Sequence, residues 1–257
     1  MELPKTKSPA LFTDPRSILI MSKPKVGKTR LVSELDNNLV IDINDGGSGF
    51  YESMRIQPTN WKEIVEITKE IKKQGCPYDY ITVDTIGDLE DMCVDLAEHL
   101  FSKTAVGKYW FTKKSAAEPS GKEKYGSILN LPEGAGFGWI RLAMKKMIEN
   151  LRSVTNHLIL LGHVRDKDVT KSDKSEVDSI EVDLLGKLRT IVPSNVDAVG
   201  YMYRKSPNVN VINFTASKDV VSGSRADLEK ELIISEINEK GEYITHWNKI
   251  FKNLKSK

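Results

Sequence analysis

The stretch Ser22-Lys23-Pro24-Lys25-Val26-Gly27-Lys28-Thr29 decides how this chain is read. It follows the apolar run Ser17-Ile18-Leu19-Ile20-Met21 and leads into Arg30-Leu31-Val32-Ser33-Glu34-Leu35, which reads as a helix. A strand, a turn ending Gly-Lys-Thr and a helix make a nucleotide phosphate loop. Main-chain N–H groups and a helix N-terminus surround the phosphates, lysine neutralises the outer ones, and the threonine hydroxyl holds Mg2+. ATP with Mg2+ is the expected ligand, cradled by Ser22, Lys23, Pro24, Lys25, Val26, Gly27, Lys28, Thr29 and Arg30. The usual pattern opens with glycine, and Ser22 stands in that place. Serine resists positive φ, so either the turn is shaped differently or Ser22 sits at a φ it tolerates. A chance Gly-Lys-Thr in a surface turn is the bland alternative, and the flanking strand and helix count against it.

A chain of 257 residues is one large domain or two small ones. Its 38 basic and 36 acidic side chains nearly cancel, so any basic surface must come from local segregation. Two cysteines, Cys76 and Cys93, give neither a disulfide framework nor metal spacing, and the four histidines are scattered. No apolar run is long enough to cross a bilayer, and Met1-Glu2-Leu3-Pro4-Lys5 does not read as a signal peptide. The expectation is a soluble, cytoplasmic protein with no membrane partner.

Apolar runs then alternate with helical patterns. Asn38 to Ile43 reads as a strand buried on both faces, ending in the loop Asn44-Asp45-Gly46-Gly47-Ser48-Gly49. Asn60 with Glu63 signals a helix start, followed by Ile64, Ile67 and Ile71 at helical spacing. Tyr78 to Asp84 is the next strand, and Leu89, Met92, Cys93, Leu96 and Leu100 share a helix face after it. From about 102 to 137 the pattern fails, and an irregular loop is expected. Ile140, Ala143, Met144, Met147, Ile148 and Leu151 mark an amphipathic helix, and His157 to His163 a further buried strand. A second polar loop is expected over 164–183. Ala198 to Arg204 and Val209 to Phe214 read as a hairpin around Ser206-Pro207-Asn208. In the tail, Trp247, Ile250, Phe251 and Leu254 are expected on a helical face. The fold class is α/β, a mostly parallel central sheet flanked by helices with an antiparallel hairpin at its later edge.

In such a sheet the ligand lies beyond the carboxyl ends of the strands. Asp84 ends an apolar strand, where a carboxylate holds Mg2+ opposite Thr29; the bland alternative is a helix N-cap. Hydrolysis needs a group to orient or deprotonate water, and Asn44 or Asp45 is placed for it, unless both only build a turn. His163 is expected near the far phosphate as a sensor, with a structural histidine as the alternative. Lys218 and Arg225 are cations able to reach a neighbour's nucleotide, or else ordinary solvated charges. Lys103, Lys108, Lys113, Lys114, Lys122 and Lys124 offer phosphate contacts, and Tyr109, Trp110, Phe111 and Tyr125 offer stacking faces, a pattern suited to single-stranded DNA or to a protein surface.

The order of these parts resembles the RecA-type ATPase core, and most of all the small phage-encoded RecA-like ATPases of single-strand annealing and recombination. Lys23 to Thr29, Val40 to Gly47, Ile81 to Thr85, Gly138 to Leu151, Leu158 to His163, Leu184 to Val199 and Thr215 to Lys218 carry the resemblance. It covers roughly residues 14–225. The resemblance implies a single RecA-like domain over 1–257 with a C-terminal extension at 226–257. It also implies a homo-oligomeric ring or filament that binds single-stranded DNA, and a single-strand binding protein as a partner. His163 then falls at the residue coupling nucleotide to DNA, and Lys218 at the subunit-crossing cation. Asn44 falls where the family often has its catalytic glutamate, and a one-residue shift brings in Asp45. Two alternatives stay open: a motor ATPase of helicase or packaging type, and a nucleotide-bound regulatory protein with little turnover.

Overall fold

The computed structural model describes residues 3, 5–43, 47–115, 127–170, 176–217 and 220–252. Three strands rich in Ile, Leu and Val build its centre: β1 (Ser17–Ser22), β2 (Asn38–Asp42) and β4 (Tyr80–Asp84), each buried along its whole length. Alternate residues of such strands face opposite sides. Leu19 and Met21 therefore enter one core with Ile64, Leu89, Met144 and Leu188. Ile18 and Ile20 enter a second core with Leu31, Val32, Trp247 and Phe251. A sheet covered on both faces needs helices on both sides, and the chain supplies α2 (Trp61–Lys73), α3 (Ile86–Ser102), α5 (Ala135–Arg152) and α6 (Leu188–Asn195) to the first core. The short α1 (Lys28–Ser33) covers the second core.

The remaining strands are β3 (Met54–Ile56), β5 (His157–Thr170), β6 (Glu176–Val182), β7 (Ala198–Ser206), β8 (Val209–Asn213), β9 (Gly223–Ser224), β10 (Glu231–Ile237) and β11 (Tyr243–Thr245). The sheet runs β11-β10-β8-β7-β1-β5-β4-β2-β3, with β6 paired to β5 and β9 to β7. It is parallel from β3 through β7 and antiparallel from β7 to β11, the mixed α/β arrangement expected. The 198–214 hairpin forms as read, with Arg204 opposite Asn210. The Asn60 signal is a true cap: its side chain accepts the N–H groups of Lys62 and Glu63.

Three expectations are corrected. The 102–137 stretch is not uniformly irregular, because α4 (Ala105–Ser115) occupies its first part. Thr104 starts that helix, its hydroxyl accepting the Gly107 N–H at 2.9 Å. Only glycine fits at 107, where a Cβ would lie 1.9 Å from the Phe101 carbonyl oxygen. Trp110 and Phe111 pack on the core, Phe111 edge-on to Phe101 at 6.0 Å, so they are not open stacking faces. Second, 164–183 is not a loop but a two-stranded ribbon: β5 continues past His163 and pairs antiparallel with β6, from Val164 opposite Val182 to Thr170 opposite Glu176. The pairing of these two strands is a property of both segments together, which neither polar stretch announces by itself. Third, the tail is not an α-helix. It adds β10 and β11 to the sheet and closes with a 3-10 turn at Trp247–Lys249, which meets the spacing of the buried Trp247, Ile250 and Phe251. Leu254 lies outside the described residues.

Glu90 on α3 is 4% exposed, and both its carboxylate oxygens accept the Leu185 N–H at 3.0 Å. Burial foremost, with Asp91 and Asp183 nearby, pushes it up to about 7, against the pull of the Leu185 N–H and Arg189. The folded chain therefore binds this proton more tightly than the unfolded chain does. Its contribution is favourable at low pH and is lost as pH rises from the ordinary carboxylate range through about 7. Urea denaturation at about pH 5 and about pH 7.5 should show wild type losing roughly 2–3 kcal/mol more than Glu90→Gln across that interval, because each tenfold change in proton affinity on folding is worth ~1.4 kcal/mol. A slope that is the same in both proteins would refute the assignment. Asp84 has the same sign and leaves a residual slope in the variant.

Candidate functional site

The phosphate loop leaves the carboxyl end of β1 and enters α1. Left-handed backbone is carried by Lys25 (φ 63) and Gly27 (φ 112), not by Ser22, which is the fully buried last residue of β1. The departure from glycine at 22 is therefore accommodated, because that position is extended. Ser22 has a task of its own: its hydroxyl donates to the Lys23 carbonyl at 2.7 Å and accepts from Lys28 Nζ at 2.8 Å. Gly27 is the N-cap of α1 and supplies no side-chain cap. The first intrahelical donor is the Leu31 N–H, to the Gly27 carbonyl at 3.0 Å. The amides of Lys28, Thr29 and Arg30 thus precede the ladder and point out of the helix start, as an anion requires.

Lys28 is 6% exposed. Burial pulls its ammonium down to about 8, with the Asp84 carboxylate holding it up. Beside it, the Thr29 hydroxyl donates to Asp84 Oδ2 at 2.7 Å. Burial pushes Asp84 up to about 6; the Thr29 hydroxyl and Lys28 oppose this, and Asp42 and Asp88 add to it. Asp84 is not the cap of α3. Thr85 is, its hydroxyl accepting the Asp88 N–H, so the capping alternative for Asp84 falls away. A threonine hydroxyl in contact with a buried carboxylate is the oxygen donor set that Mg2+ accepts, with water and phosphate oxygens completing its shell. Among the described residues no group of three or more His, Cys, Asp or Glu side chains is gathered to hold a metal by itself.

His163 stands at the end of the β5 segment paired to β1, opposite Ser22, with its Nδ1 3.5 Å from Lys28 Nζ. An ammonium only donates, so Nδ1 is the acceptor and the ring is neutral in this contact. Loss of water around the ring, then the Lys28 charge, lowers its pKa, while Asp88 and Asp183 oppose. The structure thus brings Ser22, Lys28, Thr29, Asp84 and His163 together. Lys23, Pro24 and Lys25 lie exposed on the loop, with Val26 and Gly27 half-buried. The Arg30 guanidinium lies over the Tyr243 ring, 3.9 Å from the centroid, which leaves its main-chain amide to serve the loop. Arg225 pairs with Asp197 at 3.5 Å and donates to the Ser194 carbonyl at 2.8 Å, near the amino end of β7. Asn44, Asp45 and Lys218 lie outside the described residues, as do Lys122, Lys124 and Tyr125.

Two residues missed in the sequence belong to the site. Asp42, fully buried, pairs in register with Asp84 and accepts a hydrogen bond from the Ser48 hydroxyl. Arg204 reaches from β7 to the carbonyls of Lys25 and Val26, 3.4 Å from each. Nothing local announces either, since strand register places the first and hairpin pairing the second.

A family model described as an AAA domain matches residues 14–226. No curated protein matches the chain.

A phosphate beside Lys28 favours its ammonium and raises its pKa, so nucleotide binding takes up a proton wherever the free lysine is neutral. Affinity is then full below about 8 and falls as pH rises past it. Titration of ATP between about pH 7 and about pH 9.5 should show Kd weakening, approaching tenfold for each step of one in pH above the lysine's own pKa. A Kd that stays flat across this range would contradict the assignment of Lys28 as the countercharge.

Proposed function

The chain belongs to the AAA domain family, a family of P-loop NTPases, and on that premise we propose that it hydrolyses ATP with Mg2+ in a cycle stimulated by single-stranded DNA. The observation that carries the ATPase reading is the Thr29–Asp84 contact at 2.7 Å beside the buried Lys28. In this reading the loop amides and Lys28 bind the phosphates, and Thr29 and Asp84 hold the cation. Mg2+, when bound, neutralises and orients phosphate oxygens. Asp42, the last residue of β2, accepts from the Ser48 hydroxyl and so holds Ser48 to the end of that strand. Asn44 and Asp45, in the segment after β2, orient the attacking water. Lys218 of a neighbouring copy supplies the crossing cation in a ring or filament.

The DNA part rests on continuity. Strand β5 passes from His163, in contact with Lys28, straight into the β5–β6 ribbon. A strand clamped on the ribbon and a phosphate at Lys28 would bear on one rigid element. Lys103 and Lys108 lie exposed near the start of α4, and Tyr109 is 60% exposed there, a basic and aromatic surface of the kind single strands use. Recombination or annealing in a phage-infected cell, with a single-strand binding protein as partner, is the setting this proposal favours. No helix among the described residues is long and apolar enough to cross a membrane.

ATP turnover measured with and without single-stranded DNA tests both parts. Wild type should be stimulated by DNA, and Lys28→Ala should lose about 100-fold or more, the scale of one removed charge stabiliser. Asn44→Asp should turn over no more slowly than wild type. Turnover indifferent to DNA would end the DNA part and leave the ATPase. Tight ATP binding without turnover under either condition would favour the regulatory alternative.

A further inference from the structure

Helix α1 carries Lys28 and Thr29 but has only six residues. A helix this short is not stable by its own hydrogen bonds, so its position is set by what packs on it. Two contacts on consecutive residues come from one distant segment. The Arg30 guanidinium lies 3.9 Å from the centre of the Tyr243 ring on β11. The Leu31 carbonyl accepts the indole N–H of Trp247 at 3.1 Å, a buried hydrogen bond across 216 residues of sequence. Trp247 is 2% exposed and stacks on Phe251, and both share the second core with Leu31, Val32 and Leu35. The segment is itself fastened. β11 pairs with β10, and the His246 N–H donates to the Ile234 carbonyl at 2.8 Å. These partners all lie beyond residue 226, where the family match ends.

We propose that Tyr243 and Trp247 are positioning residues for the phosphate loop: a brace, added after the family's common core, that holds α1 and hence Lys28 and Thr29 in the binding arrangement. The inference rests on the nucleotide reading above. A carbonyl in the middle of a one-and-a-half-turn helix is fixed by an indole that cannot move without opening the core. A cation on the next residue toward the loop is held to an aromatic face, where a partly buried pair is worth more than an exposed one. The two holds are on consecutive residues, about 100° apart around the helix axis, and so restrain its rotation as well as its distance from the sheet. Removing one lets α1 sample other orientations, and affinity falls by the fraction of molecules in which the loop is set.

The test compares Tyr243→Leu, Tyr243→Phe and Lys28→Ala with wild type. Three quantities are read: affinity for a fluorescent ATP analogue, melting temperature, and amide hydrogen exchange of residues 28–33 without nucleotide. Tyr243→Leu should bind about tenfold more weakly, the upper range for one lost cation–π contact. Its exchange should speed up over 28–33 and not over β1. Tyr243→Phe keeps the ring face and should recover both properties. If Tyr243→Leu fails to fold, Arg30→Gln removes the same contact from the α1 side and should give the same pattern. Wild-type affinity and unchanged exchange in these variants, with Lys28→Ala unable to bind, would overturn the brace and leave the nucleotide reading standing. Failure of wild type itself to bind the analogue would overturn both. A loss of affinity that Tyr243→Phe shares in full would also count against the brace, since the ring face is then not what matters.

Discussion

The hydrogen bond from the Thr29 hydroxyl to Asp84 ties helix α1, which follows β1, to β4, a strand that is not β1's neighbour. Strand β5 lies between β1 and β4, which therefore stand about 10 Å apart in the sheet. Thr29 reaches Asp84 only because the first turn of α1 leans across the carboxyl end of β5. That lean has consequences. It brings Lys28 over the end of the same strand, within 3.5 Å of His163. It makes a short helix, rather than the sheet, the element that closes the site. It also requires the far side of that helix to be filled, which the chain does with Trp247, Phe251 and the strands that deliver them.

The electrostatics follow from the same crossing. Lys28, Asp84 and Asp42 are nearly or fully buried within one small region. Burial moves Lys28 down and Asp84 up, so each is drawn toward its neutral form. Their mutual attraction restrains that drift without cancelling it. Groups in this condition gain when opposite charge is brought to them, the lysine from phosphate and the carboxylate from a divalent cation. A magnesium–nucleotide complex brings both at once, which is a stronger physical argument for the ligand than the sequence pattern alone.

What could be read from the sequence was what local chemistry determines. The runs at 17–22, 38–42 and 80–84 are apolar because both faces are covered, and they read as strands without any partner in view. Asn60 and Glu63 announce a helix because the cap is made within four residues. Lys28, Thr29 and Asp84 were legible because motif and strand end place them. Asp42 was not, since its importance comes from standing opposite Asp84 in register, a property of two segments and not of one. Where the Arg30 side chain goes was hidden for a related reason: a tyrosine more than 200 residues away takes it. The ribbon was hidden in the same way. Its strands are fixed by pairing with each other, from Val164 opposite Val182 to Thr170 opposite Glu176, and that partnership is not written in either segment alone. Helix α4 was hidden by its lysines and its glycine, although that glycine is what lets it sit so close against the end of α3.

Lys28 and Thr29 are thus approached from two sides by segments remote in sequence. His163 meets Lys28 from β5, the strand that becomes the ribbon; Trp247 and Tyr243 meet the next turn of α1 from the C-terminal strands. Coupling between a bound nucleotide and a distant surface needs a contiguous element with two arrangements. Helix α1 is six residues long and is held through side chains: Asn38 of β2 donates to the Val32 carbonyl at 2.8 Å, and Trp247 to the Leu31 carbonyl at 3.1 Å. It has the phosphate loop at its start, the ribbon's strand beside its lysine and the C-terminal segment behind it, so the proposed coupling of nucleotide to DNA would run through the contacts on this one helix.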